Sequence, residues 1–445
     1  MHRRNKWFSV RVRNFQRDRI YNIHTSSTED KVLRVYGNKG MGKTTAAIAF
    51  CQSEPNRLYF SFKNIDADAA PIILSKHLDT LPPSDSWDSF FENIKHAYGT
   101  HGTVIIFDDV DTRNDKAEFY QSVDKFLYSD KRKLFAVVFI TTSNDKLPLD
   151  TTSLEMKPMS IGDISKAFNK LDRADTTRLY AVTAGIPELV TQYNENLTYE
   201  ENIRNFFTAG SRYIRFMEET MTKAFRTPES YNSLFYAMSA GKNRISELAA
   251  CSGFANNKCD KYVKALITAQ LAKRVKTKEN GKTVSHYIPA NTYIKLWYKW
   301  IFPHRRELMC GFSDEMLAQI KTYIDEELVP ESFRQSCLRY FLNKKHLSYS
   351  VLDNLDNFNR QIGGYDFDLV ILSGKYRQFL KICPQVNSRC DKKELLTMLK
   401  AAECECPYYD SEFYLFLNGR FSDYVWKEAG KYDNLNLVQT EWLGY

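Results

Sequence analysis

A chain of 445 residues, 43% hydrophobic and 14% aromatic, has material for packed cores, and its length suggests two or three domains. No apolar run approaches the ~18–20 residues that span a bilayer, the basic start Met1-His-Arg-Arg lacks a secretory apolar core, and nine cysteines without framework spacing read as reduced thiols; the sequence predicts a cytoplasmic protein with no membrane partner. Net charge is +8 but uneven: residues 241–306 carry 14 Lys/Arg against 3 Asp/Glu, and residues 401–445 carry 3 against 8.

In chain order, residues 31–36 (Lys-Val-Leu-Arg-Val-Tyr) read as a strand, 43–51 as a helix and 57–62 as a second strand. Helical patterns follow at 71–80 and 87–98. Residues 103–107 (Thr-Val-Ile-Ile-Phe) form an apolar run without alternation, the mark of a strand buried on both faces. A helix at 119–128 and another apolar strand at 134–141 complete a pattern of alternating strands and helices, which predicts a parallel α/β sheet. Residues 160–240 read as helical only. Three short helices in 229–290 then precede a polar hairpin signal at 276–282, an order resembling a winged helix. Helices run from 293 to about 342, two strands follow at 367–372 and 378–383, and a helix at 392–402.

Gly37-Asn38-Lys39-Gly40-Met41-Gly42-Lys43-Thr44 fits a phosphate-binding loop and sits between an apolar strand and a helix. Glycines let backbone N–H groups wrap phosphates, and the helix start adds partial positive charge. Lys43 is expected to reach the β and γ phosphates of ATP, Thr44 to offer its hydroxyl to Mg²⁺, and Thr45 to flank the loop. The apolar strand before Asp108-Asp109 ends in two carboxylates. Asp108 is the expected second Mg²⁺ ligand and Asp109 the group that polarises the attacking water. Asp111 reads as a solvated turn residue. Thr141-Thr142-Ser143-Asn144 either senses a terminal phosphate or simply caps its strand.

The order of phosphate loop, apolar strand with Asp108-Asp109, strand ending in Thr141-Thr142-Ser143, and helical segment with Gly185-Ile186-Pro187 resembles the STAND class of P-loop NTPases, and more narrowly the archaeal-type ATPase family. The resemblance implies that Pro187 belongs to a helical lid over the nucleotide. Gly185 and Pro187 would punctuate two helices there. Residues 287–303 are similar to a family segment in which a winged-helix strand runs into an aromatic helix, and the tail resembles a PD-(D/E)XK nuclease-like domain. The implied fold is α/β: a P-loop NTPase parallel sheet (1–155), a helical lid (156–228), a winged helix (229–305) and a small nuclease-like α/β domain (306–445). Phe15-Gln-Arg-Asp-Arg19 departs from the Arg-Glu pair that family members carry near the start of the ATPase domain.

A nuclease of that type needs a helix Glu, a strand Asp and Glu-x-Lys on the next strand. The matching positions here are Arg334, Asp368, Lys381 and Cys383, so the sequence predicts an inactive nuclease fold, with Asp366 and Asp368 capping a strand. Cys383, Cys390, Cys404 and Cys406 lack the close-set pairs of a zinc site. The helix at 256–271 carries Lys258, Lys261 and Lys264 on one face, and Lys273, Arg274, Lys276, Lys278 and Lys282 follow. Such a stripe suits duplex DNA phosphates, although solvated lysine faces are common. The leading expectation is an ATP-dependent switch, hydrolysing slowly and repositioning its downstream domains toward a protein partner or another copy. The alternative is a DNA-binding regulator that holds ATP as a structural ligand.

Overall fold

The computed structural model describes residues 32–53, 56–78, 81–112, 116–130, 134–142, 147–149, 151–348, 358–373, 376–405 and 410–444. The chain divides into two compact units, residues 1–158 and 159–445.

In the first unit the strands are β1 (Val32–Tyr36), β2 (Arg57–Ser61), β3 (Thr103–Asp108), β4 (Phe135–Thr141) and β5 (Thr152–Glu155). They alternate with α1 (Lys43–Ser53), α2 (Ala70–Lys76), α3 (Trp87–Tyr98) and α4 (Lys116–Ser129). All pairings are parallel and the order is β2-β3-β4-β1-β5. β3 is buried along its whole length, which is why it shows no polar alternation. Ser86 caps α3 by accepting from the Ser89 amide. Aromatic side chains fill the space between sheet and helices: Trp87 meets Phe119 edge-on at 4.8 Å, and Phe60 and Phe62 stack on Phe107 at 5.6 and 5.7 Å. β5 has no counterpart in the sequence reading.

The second unit opens with α5 (Ile161–Ala167), α6 (Arg173–Thr183), α7 (Pro187–Val190), α8 (Tyr199–Phe206) and α9 (Arg212–Ala224). Next come α10 (Pro228–Ser239), α11 (Ile245–Ser252) and α12 (Asn256–Thr268), followed by the antiparallel hairpin of β6 (Ala272–Glu279) and β7 (Lys282–Pro289). Asn280 and Gly281 make its turn with φ of 49° and 76°, the backbone that an Asn-Gly pair accepts at low strain. α13 (Thr292–Leu296) continues into a π-helical turn, Trp297–Ile301; α14 (Arg305–Cys310) and α15 (Asp314–Tyr323) follow. A second π turn, Ile324–Leu328, leads into α16 (Val329–Lys344) just ahead of Pro330, which has no N–H to donate to a regular α turn.

Buried side chains tie these helices together through backbone acceptors. The Tyr213 hydroxyl donates to the Val182 carbonyl at 2.6 Å and Tyr293 to the Tyr213 carbonyl at 2.7 Å. Thr292 donates to Ala181 at 2.5 Å and the Trp297 indole to Ile214 at 3.2 Å. Arg178 grips both carboxylate oxygens of Asp325 at 2.8 Å, a bidentate pair in which the bond to Asp325 raises the guanidinium pKa.

The chain ends in a sheet of β8 (Phe358–Ile362), β9 (Tyr365–Ser373), β10 (Tyr376–Ser388), β11 (Asp410–Gly419) and β12 (Leu435–Gln439) in sequential order. β8, β9 and β10 pair antiparallel; β10, β11 and β12 are parallel, joined by α17 (Lys392–Glu405) and α18 (Asp423–Ala429). Leu395, Met398 and Val425 cover one face with Phe379 and Phe413. On α16, Phe341 packs edge-on against Tyr414 of β11 at 5.1 Å. The sequence reading ends at 402 and so lacks β11, α18 and β12, together with β8 ahead of it. No helix among the described residues is long and apolar enough to cross a membrane.

Candidate functional site

The loop between β1 and α1 has the backbone its glycines were read to provide. Gly37, Gly40 and Gly42 have φ of 150°, 82° and 78°. A side chain at Gly37 would also place Cβ 2.6 Å from the Met156 carbonyl oxygen, so a close approach adds to the backbone constraint. The Met156 amide is fixed in turn by the Tyr36 carbonyl at 2.7 Å. Met41 is buried, while Asn38, Lys39 and Thr45 are half-buried and Thr44 is exposed at the start of α1. The Lys43 ammonium donates to the Gly37 carbonyl at 2.5 Å and the Asn38 carbonyl at 3.0 Å, which holds it across the loop. A strand, a glycine loop with three positive-φ turns, a lysine on the loop and a helix N-terminus form a cradle that fits a polyphosphate.

The register sets the second half. Tyr36 of β1 lies opposite Thr141 of β4, and Phe107 of β3 opposite Phe139 of β4, so the loop, Thr141 and Asp108 share the carboxyl edge of the sheet. β4 stands between the loop strand and the Asp108 strand. Asp108 is buried; one of its oxygens accepts from the Tyr59 hydroxyl at 2.8 Å and the other from the Asp109 amide at 2.8 Å. Asp109 turns the chain with φ of 58°, a conformation that Asp tolerates better than most residues. Asp111 differs from expectation. Its half-buried carboxylate accepts the Thr142 amide, clipping the end of β4 to the turn after β3. Ser143 and Asn144 lie outside the described residues, as does the Phe15–Arg19 segment.

Two neighbouring residues escaped the sequence reading. Tyr59 orients Asp108 from β2. Arg34, only 3% exposed in the middle of β1, reaches the Thr141 hydroxyl at 3.3 Å and lies over the Tyr36 ring at 4.7 Å. A lone arginine inside an apolar strand was the available signal; Tyr59 gave none.

Pro187 lies in the second unit. α6 ends at Ala184 and Gly185, with φ of 51° and 68°, and Pro187 opens α7. Gly185 is required there: a Cβ would stand 2.1 Å from the Met159 carbonyl oxygen, and the Met159 amide donates to Gly185 at 2.7 Å.

Of the four positions matched to a nuclease, Arg334 lies on α16, Asp368 on β9, and Lys381 and Cys383 on β10. Arg334 Nε lies 3.6 Å from Asp368 Oδ1, and the Ile382 amide donates to Asp368 Oδ2 at 2.8 Å. Asp368 therefore bonds to the neighbouring strand instead of capping its own, and its carboxylate is already covered by a cation and an amide. Lys381 turns away, donating to the Asp366 carbonyl at 2.9 Å and lying over Tyr365. Burial pushes the Cys383 thiol up to about 11 and the Cys390 thiol up to about 12. The described cysteines are free, and no group of three His, Cys, Asp or Glu side chains suited to a metal occurs among the described residues; Cys406 and the Cys404 side chain lie outside them.

The lysine stripe meets local partners in three dimensions. Lys258 folds over Phe254 at 4.5 Å, Lys264 pairs with Asp260 at 2.6 Å, and Lys273 is half-buried, where burial lowers its ammonium pKa. Lys258, Lys261, Lys264, Arg274, Lys276, Lys278 and Lys282 are all exposed along α12 and the hairpin.

No family model and no curated protein matches this chain. Its fold is similar to solved structures at low identity. A Walker-type ATPase of Pyrococcus abyssi is 11% identical over 64% of this chain and 95% of its own, with a TM-score of 0.44. A STAND protein with a tetratricopeptide repeat sensor from Pyrococcus horikoshii is 15% identical over 74% of this chain and 47% of its own, with a TM-score of 0.29. The RuvB Holliday junction branch migration motor of Thermotoga maritima is 14% identical over 63% and 89%, with a TM-score of 0.31. At these values the functional reading rests on the loop and its surroundings.

Proposed function

We propose that this chain binds Mg²⁺-ATP at the 37–45 loop and hydrolyses it slowly as a molecular switch. The observation that carries the reading is the loop: three positive-φ glycines, one of which admits no Cβ, closed by Lys43 at the start of α1. The amides of Gly37, Asn38, Lys39, Gly40, Met41 and Gly42 would wrap the phosphates, with Thr45 behind them. Lys43 would exchange its two carbonyl acceptors for β and γ phosphate oxygens. The Thr44 hydroxyl and Asp108 would hold the metal, Asp108 being pre-oriented by Tyr59. Asp109, beside it on the same turn, would polarise water. Bound Mg²⁺ neutralises charge on the β and γ phosphate oxygens. Thr141 and Thr142 at the β4 edge suit the sensing of a terminal phosphate. In this reading 1–155 is the nucleotide domain and 156–228, with Pro187, the lid. Residues 229–305 are a winged helix, and 306–445 a nuclease-like fold without a working metal site, because Asp368 is already committed to Arg334 and Ile382.

The test is equilibrium binding of a fluorescent ATP analogue together with phosphate release. Lys43→Ala should lose about 3 kcal/mol, roughly a hundredfold in affinity, since two charge-assisted contacts disappear. Asp109→Asn should bind normally and turn over at least tenfold more slowly. Undiminished affinity in Lys43→Ala overturns the site; unchanged turnover in Asp109→Asn overturns the role of that carboxylate. Adding duplex DNA to the turnover assay separates the alternative: DNA stimulation lost on reversing Lys261 and Lys276 would favour a DNA-binding regulator.

A further inference from the structure

A cleft of about 550 Å³ opens in the second unit at the carboxyl ends of β10, β11 and β12. These strands run parallel, so their ends share one edge of the sheet. Crevices at that edge are where open α/β sheets take ligands, and this volume suits a molecule of nucleotide size. The cleft is distinct from the Asp368 cluster, which sits further back on β9 and β10, before the register shift between Cys383 and Ser388.

Three guanidiniums line it: Arg173 at the start of α6, Arg389 just after β10, and Arg420 just after β11. Arg389 and Arg420 are exposed, and neither has an ion-pair partner among the described residues. Arg173 is held at one nitrogen by Glu441, while its Nη1 is buried with no hydrogen-bond partner among the described residues. Of the two carboxylates on the rim, Glu441 holds Arg173 through one oxygen while its other oxygen is buried without a hydrogen-bond partner among the described residues, and Asp172 caps α6, accepting the Asp175 amide at 2.7 Å. The cleft keeps a surplus of positive charge, and the N-terminal end of α6 adds to it. Its floor exists because residue 419 is glycine. A Cβ there would lie 2.0 Å from the Ser388 carbonyl oxygen, so only glycine lets β10 and β11 converge at this point.

We propose that this cleft binds a small phosphorylated ligand of nucleotide size, its phosphate gripped by Arg389 and Arg420, with Arg173 on the wall as a third positive charge. Guanidinium forks bind oxygens in pairs, a geometry a halide lacks, and a phosphate offers more charge and more oxygens to three guanidiniums than a single carboxylate does. The site is independent of the 37–45 loop, and its test removes that loop from play. In the full-length Lys43→Ala chain, titration calorimetry with inorganic pyrophosphate and with ADP should show saturable binding of at least one of the two. Arg389→Glu/Arg420→Glu on the same background should weaken it at least tenfold with an unchanged melting temperature. Failure of both probes to saturate below several millimolar overturns the proposal, as does unchanged affinity in the double variant or equal binding of citrate. If Lys43→Ala does not fold, the unaltered chain serves. Pyrophosphate should then protect Arg389 and Arg420 from phenylglyoxal, and the absence of protection overturns the assignment.

Discussion

Replacing Gly37 with alanine tests whether the loop conformation is dictated by its surroundings. The residue sits at φ of 150°, where an L side chain is strained, and the new Cβ would stand 2.6 Å from the Met156 carbonyl oxygen. That oxygen cannot retreat cheaply. The Met156 amide is bonded to Tyr36 at 2.7 Å, and β5 pairs with β1 from Leu33 to Tyr36. Backbone strain of about 1–3 kcal/mol and an overpacking cost of about 1–3 kcal/mol together suggest a loss of about 2–6 kcal/mol. Much of a typical domain stability lies within that range. Peptide-level hydrogen exchange is the assay, read over 32–36 and 152–156. Amides there should exchange roughly thirtyfold to twenty-five-thousandfold faster, and ATP affinity should fall with them. Unchanged protection of β1 and β5, together with unchanged ATP affinity, would refute the argument that Gly37 is held in place from both sides.

Two further perturbations follow from the same geometry. Gly185→Ala should lower the melting temperature of the second unit by several degrees, since its Cβ would lie 2.1 Å from the Met159 oxygen; Gly241→Ala, with a similar positive φ but nothing within 4 Å, should cost only about 1 kcal/mol. Equal effects of the two would show that the Met159 contact yields freely. Cys383 and Cys390, pushed up to about 11 and 12 by burial, should react with iodoacetamide at pH 8 at least a hundredfold more slowly than exposed Cys310. The thiolate of a group at about 11 is roughly one part in a thousand at that pH. Their labelling should rise about tenfold per pH unit up to those values, and fast labelling by mass spectrometry at pH 8 would contradict their burial.

The conformation of the 37–45 loop was legible in the sequence because its residue types answer local demands: glycine for a positive φ, and an apolar strand before it for burial. The α/β alternation was legible for the same reason, since β3 and β4 are apolar on both faces. What stayed hidden depends on distant partners. Tyr59 orients a carboxylate 49 positions away, and Arg34 meets a hydroxyl 107 positions away. Asp111 looked like a solvated turn residue because Thr142, which its carboxylate accepts from, is 31 positions downstream. β5 alternates half-buried and exposed residues at the sheet edge, so it lacks the apolar run that marked its neighbours. β11 carries such a run, Phe413–Leu417, and was within reach of the same reasoning. Helical spacing gave the exposed face of Lys258, Lys261 and Lys264 but not its local partners, Phe254 beneath Lys258 and Asp260 beside Lys264.

The buried hydroxyls of Tyr213 and Tyr293 have a structural consequence. They stitch α6, α9 and α13 through backbone acceptors that water cannot reach, and Arg178 locks the same bundle to the turn before α16. Separating the chain between 224 and 292 would strand the Tyr293 hydroxyl and the Arg178 guanidinium without their acceptors, so the helices on either side do not make separable building blocks. Residues far apart in the sequence, from α6 to the turn before α16, are thereby joined by direct hydrogen bonds, so the segments 173–224 and 292–328 depend on each other for partners.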